Sequence, residues 1–186
     1  VEEIEIDNLT GMFLIATPGL KDPNFERTVV LICDHTSQGA FGLVINRILL
    51  NSFIPLIEWL DVKETKKDIP VFYGGPVKPE QGYILFIPED VNYASINIKD
   101  NLSLTTSKEI LIDLAKGKGP KKYLFALGFS GWAPGQLEYE LMIDSWLVAP
   151  MDKRIIFDIP VKDRWKAAAN SIGVDLTRLV DKQGRL

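Results

Sequence analysis

Three groupings of residues in this chain of 186 residues have the types and spacing that chemistry requires. The first is Gly128-Phe129-Ser130-Gly131-Trp132, set between an apolar run at 123–127 and a stretch with helical character. It is close to the GxSxG turn that lifts a serine nucleophile between a strand and a helix, and that turn needs small residues on both sides of the serine. Here Trp132 stands where the last glycine belongs. The only histidine, His35, comes long before Ser130, whereas in that fold the base follows the nucleophile. The simpler account is that the glycines let a helix and a strand pack closely.

The second grouping is Cys33 with His35. Two residues apart on a strand, they point the same way at about 6.5 Å, too far for a thiolate to meet an imidazole unless a bulge intervenes. Two ligands are also too few for a closed zinc site. A buried structural cysteine and a turn-capping histidine are expected, with no metal.

The third is the loop TPGLKDPNFER at 17–27, in which two prolines and a glycine forbid both helix and ladder. Asp22, Asn24, Glu26 and Arg27 crowd polar groups where this loop meets two strands, and Asn46 with Arg47 closes the hairpin that follows. An Asx turn and an ion pair from Arg27 would account for them without a ligand. A binding surface is the competing reading. Glu138, Glu140 and Asp144 follow the glycine corner and would repel a phosphate; GxGxxG and GxxxxGK are both absent, so no nucleotide cofactor is expected.

The elements that must position these groups are short. Strands are expected at 11–16, 27–34, 42–46, 69–73, 82–87, 123–127 and 155–157, with an apolar strand ending near Pro150 and edge strands at 95–98 and 102–104. Residues 77–81 read as a polar turn. On the strand at 27–34, Val29, Leu31 and Cys33 fall on one face and Val30 and Ile32 on the other, so both faces must be covered. Helices are expected over 50–62, capped by Ser52; after Thr106 and Glu109, spaced as a capping box; beyond Pro134; and from Pro160 to Gly173. Residues 174–186 add a helical turn or trail as a tail. Residues 1–10 read as a polar lead-in and 11–186 as a single domain, since nothing resembles a linker between two cores.

Composition narrows the function classes. With 46% hydrophobic and 25% charged residues, the chain has the balance of an ordinary globular protein. A net charge of −4 argues against a surface that gains affinity by displacing counterions from phosphates, so direct nucleic-acid binding is not expected. The basic cluster Lys116, Lys118, Lys121 and Lys122 is interleaved with glycine and proline and reads as a solvated loop. One cysteine excludes an internal disulfide, and no apolar leader precedes the first strand, which together suggest a cytoplasmic protein. No apolar run approaches the length of a membrane span.

Five separated blocks, ATPGLKDPNFERTVVLICDH, GAFGLVINR, YGGPVKPEQGYIL, FALGFSGWAPGQLEYEL and DSWLVAP with IFDIP and RW after it, occur in register. Together they closely resemble the AlgH/YqgE family of small bacterial proteins, over nearly the whole chain from Gly11 to Asp175. The resemblance implies a single α+β domain with a mixed, partly barrel-like sheet flanked by helices. The family's name comes from a proposed regulatory role in alginate production, and no catalytic residue set carries over. Pro134 and Tyr139 depart from the pattern, which usually has a smaller residue and an acidic one there.

The resulting expectation is a non-enzymatic regulatory protein that binds another protein. Its candidate binding residues are Asp22, Asn24, Arg27, His35, Asn46, Arg47, Ser130 and Trp132. Trp132 beside a glycine turn is either an exposed anchor or a core residue, and its burial separates the two. The alternative is a small-molecule binder or hydrolase-like enzyme, which requires Asp22, Arg27, His35 and Ser130 to meet around one pocket.

Overall fold

The computed structural model describes residues 8–52 and 68–183. Ten strands among the described residues form one sheet. In chain order they are β1 (Met12–Ala16), β2 (Val29–Thr36), β3 (Gly39–Val44), β4 (Ile48–Leu50), β5 (Val71–Tyr73), β6 (Val77–Phe86), β7 (Ile96–Lys99), β8 (Leu102–Thr105), β9 (Tyr123–Trp132) and β10 (Trp146–Pro150). Five α-helices join them: α1 (Lys108–Ala115), α2 (Gln136–Met142), α3 (Lys153–Phe157), α4 (Arg164–Asn170) and α5 (Leu176–Gln183). The architecture is the α+β class expected, with an open sheet that runs β10-β1-β2-β3-β9-β6-β8-β7. It is mixed because β5, antiparallel to β4, lies parallel to β9 in an otherwise antiparallel arrangement.

β9 is the axis of the sheet. One of its edges is shared: β3 pairs with Ser130, Gly131 and Trp132, and β5 pairs with Phe125, Ala126 and Leu127. Its other edge takes β6 from Phe129 back to Tyr123. Gly128 sits where the neighbours change, at φ +75, and a Cβ there would lie 2.3 Å from the Gly75 carbonyl oxygen. In return, a Cβ on Gly75 would lie 2.1 Å from the Phe129 carbonyl carbon. The glycines therefore permit backbone to approach backbone between β9 and the β5–β6 turn, and not a helix to approach a strand.

Both faces are covered, as the pattern on β2 requires. Val29, Leu31 and Cys33 pack with Ile155 and Ile156 of α3 and Ala168 and Ala169 of α4, whereas Val30 and Ile32 pack with Trp132, Leu137 and Trp146. A third cluster lies under α1, where Ile110, Leu111 and Leu114 meet Ile84, Phe86 and Phe125.

Several boundaries differ from the sequence pattern for local reasons. Residues 128–132 continue β9 instead of turning a corner, because β3 is there to pair with them. Residues 155–157 belong to a helix, since the Asp152 carboxylate accepts the Arg154 N–H at 2.9 Å and caps α3. Ser107, one residue beyond the expected Thr106, caps α1 by accepting the Glu109 N–H. β6 begins at Val77, within the expected turn, and Leu50 ends β4. The rest of the helix expected over 50–62 lies outside the described residues apart from 51 and 52. The C-terminal stretch resolves into α5.

Candidate functional site

Loop 17–27 is gripped from the β3–β4 turn. Asp22 Oδ1 accepts the Asn24 N–H at 2.9 Å, the expected Asx turn. Arg47 donates through Nη1 to the carbonyls of Pro23 and Asn24 at 3.0 and 2.9 Å and through Nη2 to that of Glu26 at 2.9 Å. Its guanidinium also lies 5.3 Å from the centre of the Tyr73 ring, whose hydroxyl donates to Asn24 Oδ1. Asn46 bridges the loop end by accepting the Val29 N–H and donating to the Arg27 carbonyl, each at 2.8 Å. Asp22, Asn24, Arg27, Asn46 and Arg47 thus form one assembly, which holds Arg27 at φ +55, a conformation that L residues seldom adopt. Arg27 makes no ion pair among the described residues; its guanidinium stands over the Trp165 ring at 5.8 Å.

His35 is elsewhere. The ladder between β2 and β3 skips a residue between Ile32 and Asp34, so Cys33 is bulged. Beyond the bulge, Asp34 opposes Phe41 and His35 opposes Ala40, and these two partners pack into different clusters. Cys33 and His35 therefore face opposite sides of the sheet, not the same side. His35 is 5% exposed; its Nδ1 accepts the Leu9 N–H at 3.0 Å and its Nε2 donates to Glu138 Oε1 at 2.7 Å. Burial pushes the Glu138 carboxyl up, but the hydrogen bond from His35, a hydrogen bond from its own backbone and the attraction of the His35 ring together outweigh it, and the group ends below its ordinary range. Burial, with Asp34 next to it, pushes the Cys33 thiol far up, which keeps it protonated and unreactive.

Ser130 and Trp132 belong to the core. Ser130 has no exposed surface and donates to the Gly74 carbonyl at 3.1 Å, so it is neither lifted on an elbow nor next to a base. Trp132 is 6% exposed, which removes it as a surface anchor. Its indole N–H donates to Glu140 Oε2 at 2.8 Å, and its ring joins Phe25 and Trp146 in an aromatic cluster. Burial raises the Glu140 carboxyl above its ordinary value, and the indole hydrogen bond opposes this only in part. The four residues that an enzyme reading requires do not converge: Arg27 lines a cleft whose walls include none of Asp22, His35 and Ser130. Among the described residues, no group of three or more His, Cys, Asp or Glu could hold a metal ion.

Two residues outside the candidate binding set also matter. Arg164 is 6% exposed, donates to the carbonyls of Ile45 and Ile159, and lies over the Phe72 ring; burial lowers its pKa to about 10. Trp165 anchors its N–H on the Ala16 carbonyl at 2.9 Å and offers its face to Arg27. The adjacent pair RW was the available signal, but nothing in the spacing says that one side chain goes into the core and the other to a cleft.

An open mixed sheet organised on one long strand, with helices on both faces and a clamped loop at 17–27, defines the class. A family model described as AlgH-like matches residues 13–177. The chain belongs to this AlgH-like family. It is 45% identical over 184 residues to a UPF0301 protein of Methylococcus capsulatus, covering 97% of each chain. To a UPF0301 protein of Thioalkalivibrio sulfidiphilus it is 42% identical over 179 residues, covering 95% of this chain and 96% of the other. The solution structure of the AlgH protein from Pseudomonas aeruginosa superimposes with a TM-score of 0.78 at 38% identity over 97% of each chain. A crystal structure of a Corynebacterium diphtheriae protein shares the fold, with a TM-score of 0.71 at 23% identity over 92% of this chain and 91% of the other. No helix among the described residues is long and apolar enough to cross a membrane.

Proposed function

We propose that this chain is a non-enzymatic cytoplasmic protein that acts in regulation by binding another protein, which docks on helix α2. The observation that carries the reading is the outer face of that helix and its C-terminal cap, where Tyr139, Met142 and Ile143 are 60, 70 and 55% exposed. They stand three and four residues apart and so share one face. The opposite side is fixed: Leu137 is buried, Glu138 holds His35 and Glu140 holds Trp132. A rigid helix that presents an aromatic ring and an adaptable thioether loses little freedom on binding. The single free cysteine suits a reducing compartment, and the net charge of −4 favours a protein partner over nucleic acid.

A photo-crosslinking amino acid at position 142 tests this in living cells, with the same residue at exposed Lys162 as the control. Capture of one defined protein from position 142 alone, lost when Tyr139 and Ile143 are both changed to Ser, is the expected outcome. Equal capture from both positions, or capture only of a second copy of this chain, would overturn it.

A further inference from the structure

A cleft of about 460 Å³ opens between loop 17–27 and the helices α4 and α5. That volume falls in the range of small-molecule sites. Its apolar wall is made by Leu20, Trp165 and Leu176, and three cations, Lys21, Arg27 and Lys166, stand around it with a single carboxylate, Glu26. The surplus of positive charge is local, because the chain as a whole carries −4. Among the described residues, none of the three cations is paired with a carboxylate.

Arg27 is the most telling of them. Its backbone sits at φ +55, where asparagine or glycine would rest with less strain, and Asn46 holds it there through the Arg27 carbonyl. Strain of this kind is concentrated at ligand-binding and active sites. The side chain lies over the face of Trp165, whose edge is tied to the Ala16 carbonyl, so the fork of donors is held beside the cleft, with no side-chain acceptor among the described residues.

From this juxtaposition we propose that the cleft binds a small organic phosphate monoester. Arg27 takes two of its oxygens, Lys21 and Lys166 balance the remaining charge, and Trp165 with Leu20 and Leu176 receives the organic body. A forked guanidinium suits two oxygens of one anion, and a dianion suits several cations better than a monocarboxylate does. The site is independent of the docking face on α2.

The test titrates the full chain at constant ionic strength with phenyl phosphate, inorganic phosphate and benzyl alcohol, following the Trp165 indole N–H by NMR. The indole signals of Trp132 and Trp146, which pack in the aromatic cluster with Phe25, serve as internal controls. Phenyl phosphate is expected to shift the Trp165 signal saturably, inorganic phosphate to do so more weakly, and benzyl alcohol not at all. In Arg27→Asn, which relieves the backbone while removing the fork, affinity should fall roughly ten- to hundredfold. Its melting temperature should stay within roughly 3 °C of the parent, since the lost ring contact and the relieved strain offset each other. No saturable shift, an equal shift from benzyl alcohol, or unchanged affinity in Arg27→Asn would each overturn the proposal.

Discussion

Replacing Gly128 by alanine tests the reason for the glycines on β9. Two costs separate cleanly there. Alanine at φ +75 carries the left-handed penalty of about 1–2 kcal/mol. Its Cβ would also lie 2.3 Å from the Gly75 carbonyl oxygen, so β9 or the β5–β6 turn must move. Forcing atoms into a packed site costs about 1–3 kcal/mol more. Gly135 provides the control, because its φ is +77 and a Cβ there meets nothing within 4 Å. Both substitutions restrict the unfolded chain equally, so that contribution cancels in the comparison. Gly128→Ala should therefore be less stable than Gly135→Ala by about 1–3 kcal/mol, or roughly 2–12 °C in melting temperature for a domain of this size. Urea unfolding of the two variants side by side, with calorimetry, measures this difference. Equal stabilities would refute the claim that backbone contact, and not turn geometry alone, demands glycine at position 128.

Other outcomes follow from the hydrogen-bonded polar groups of α2 and α4. Glu138 and Glu140 lie on one helix with shifts of opposite sign, so their glutamine variants should show opposite pH profiles in urea unfolding, with the change for Glu138 falling below the ordinary glutamate value of about 4.3 and that for Glu140 above it. Glu138 is depressed, so its stabilisation is present above its unfolded pKa and is lost as pH falls through the lower folded value. Glu138→Gln is then the less stable protein near neutrality and converges with the parent in acid. Glu140 is raised, so the parent bears a penalty above its folded pKa that fades as pH falls through it; Glu140→Gln should match or exceed the parent near neutrality, with its amide oxygen still accepting the Trp132 N–H. Arg164→Met leaves the Ile45 and Ile159 carbonyls without their donor and should cost about 2–4 kcal/mol by denaturant unfolding; a loss within experimental error would show that the buried guanidinium contributes nothing net.

Much of the fold was legible because it rests on short-range pattern. The alternation on β2 identified two covered faces, and the prolines of loop 17–27 identified a shaped connection whose polar residues assemble with Asn46 and Arg47. What remained illegible depends on partners remote in sequence. Residues 128–132 read as a corner because nothing local says that β3 will extend along them. Ile155 and Ile156 favour a strand by type, yet Asp152 starts a helix and the core accepts it. The bulge at Cys33 reverses the side on which His35 emerges, and a periodicity of two cannot reveal where it is interrupted. Arg164 looks like a surface cation until the carbonyls it satisfies are located on other elements.

The shared edge of β9 also has a bearing on synthesis. The strands that border it, β3, β5 and β6, leave the ribosome before it does, so each waits with an unpaired edge until residues 123–132 emerge. Joining the early meander to the later hairpins is then a late, cooperative event, and a nascent chain arrested short of that strand should be the species most in need of a chaperone.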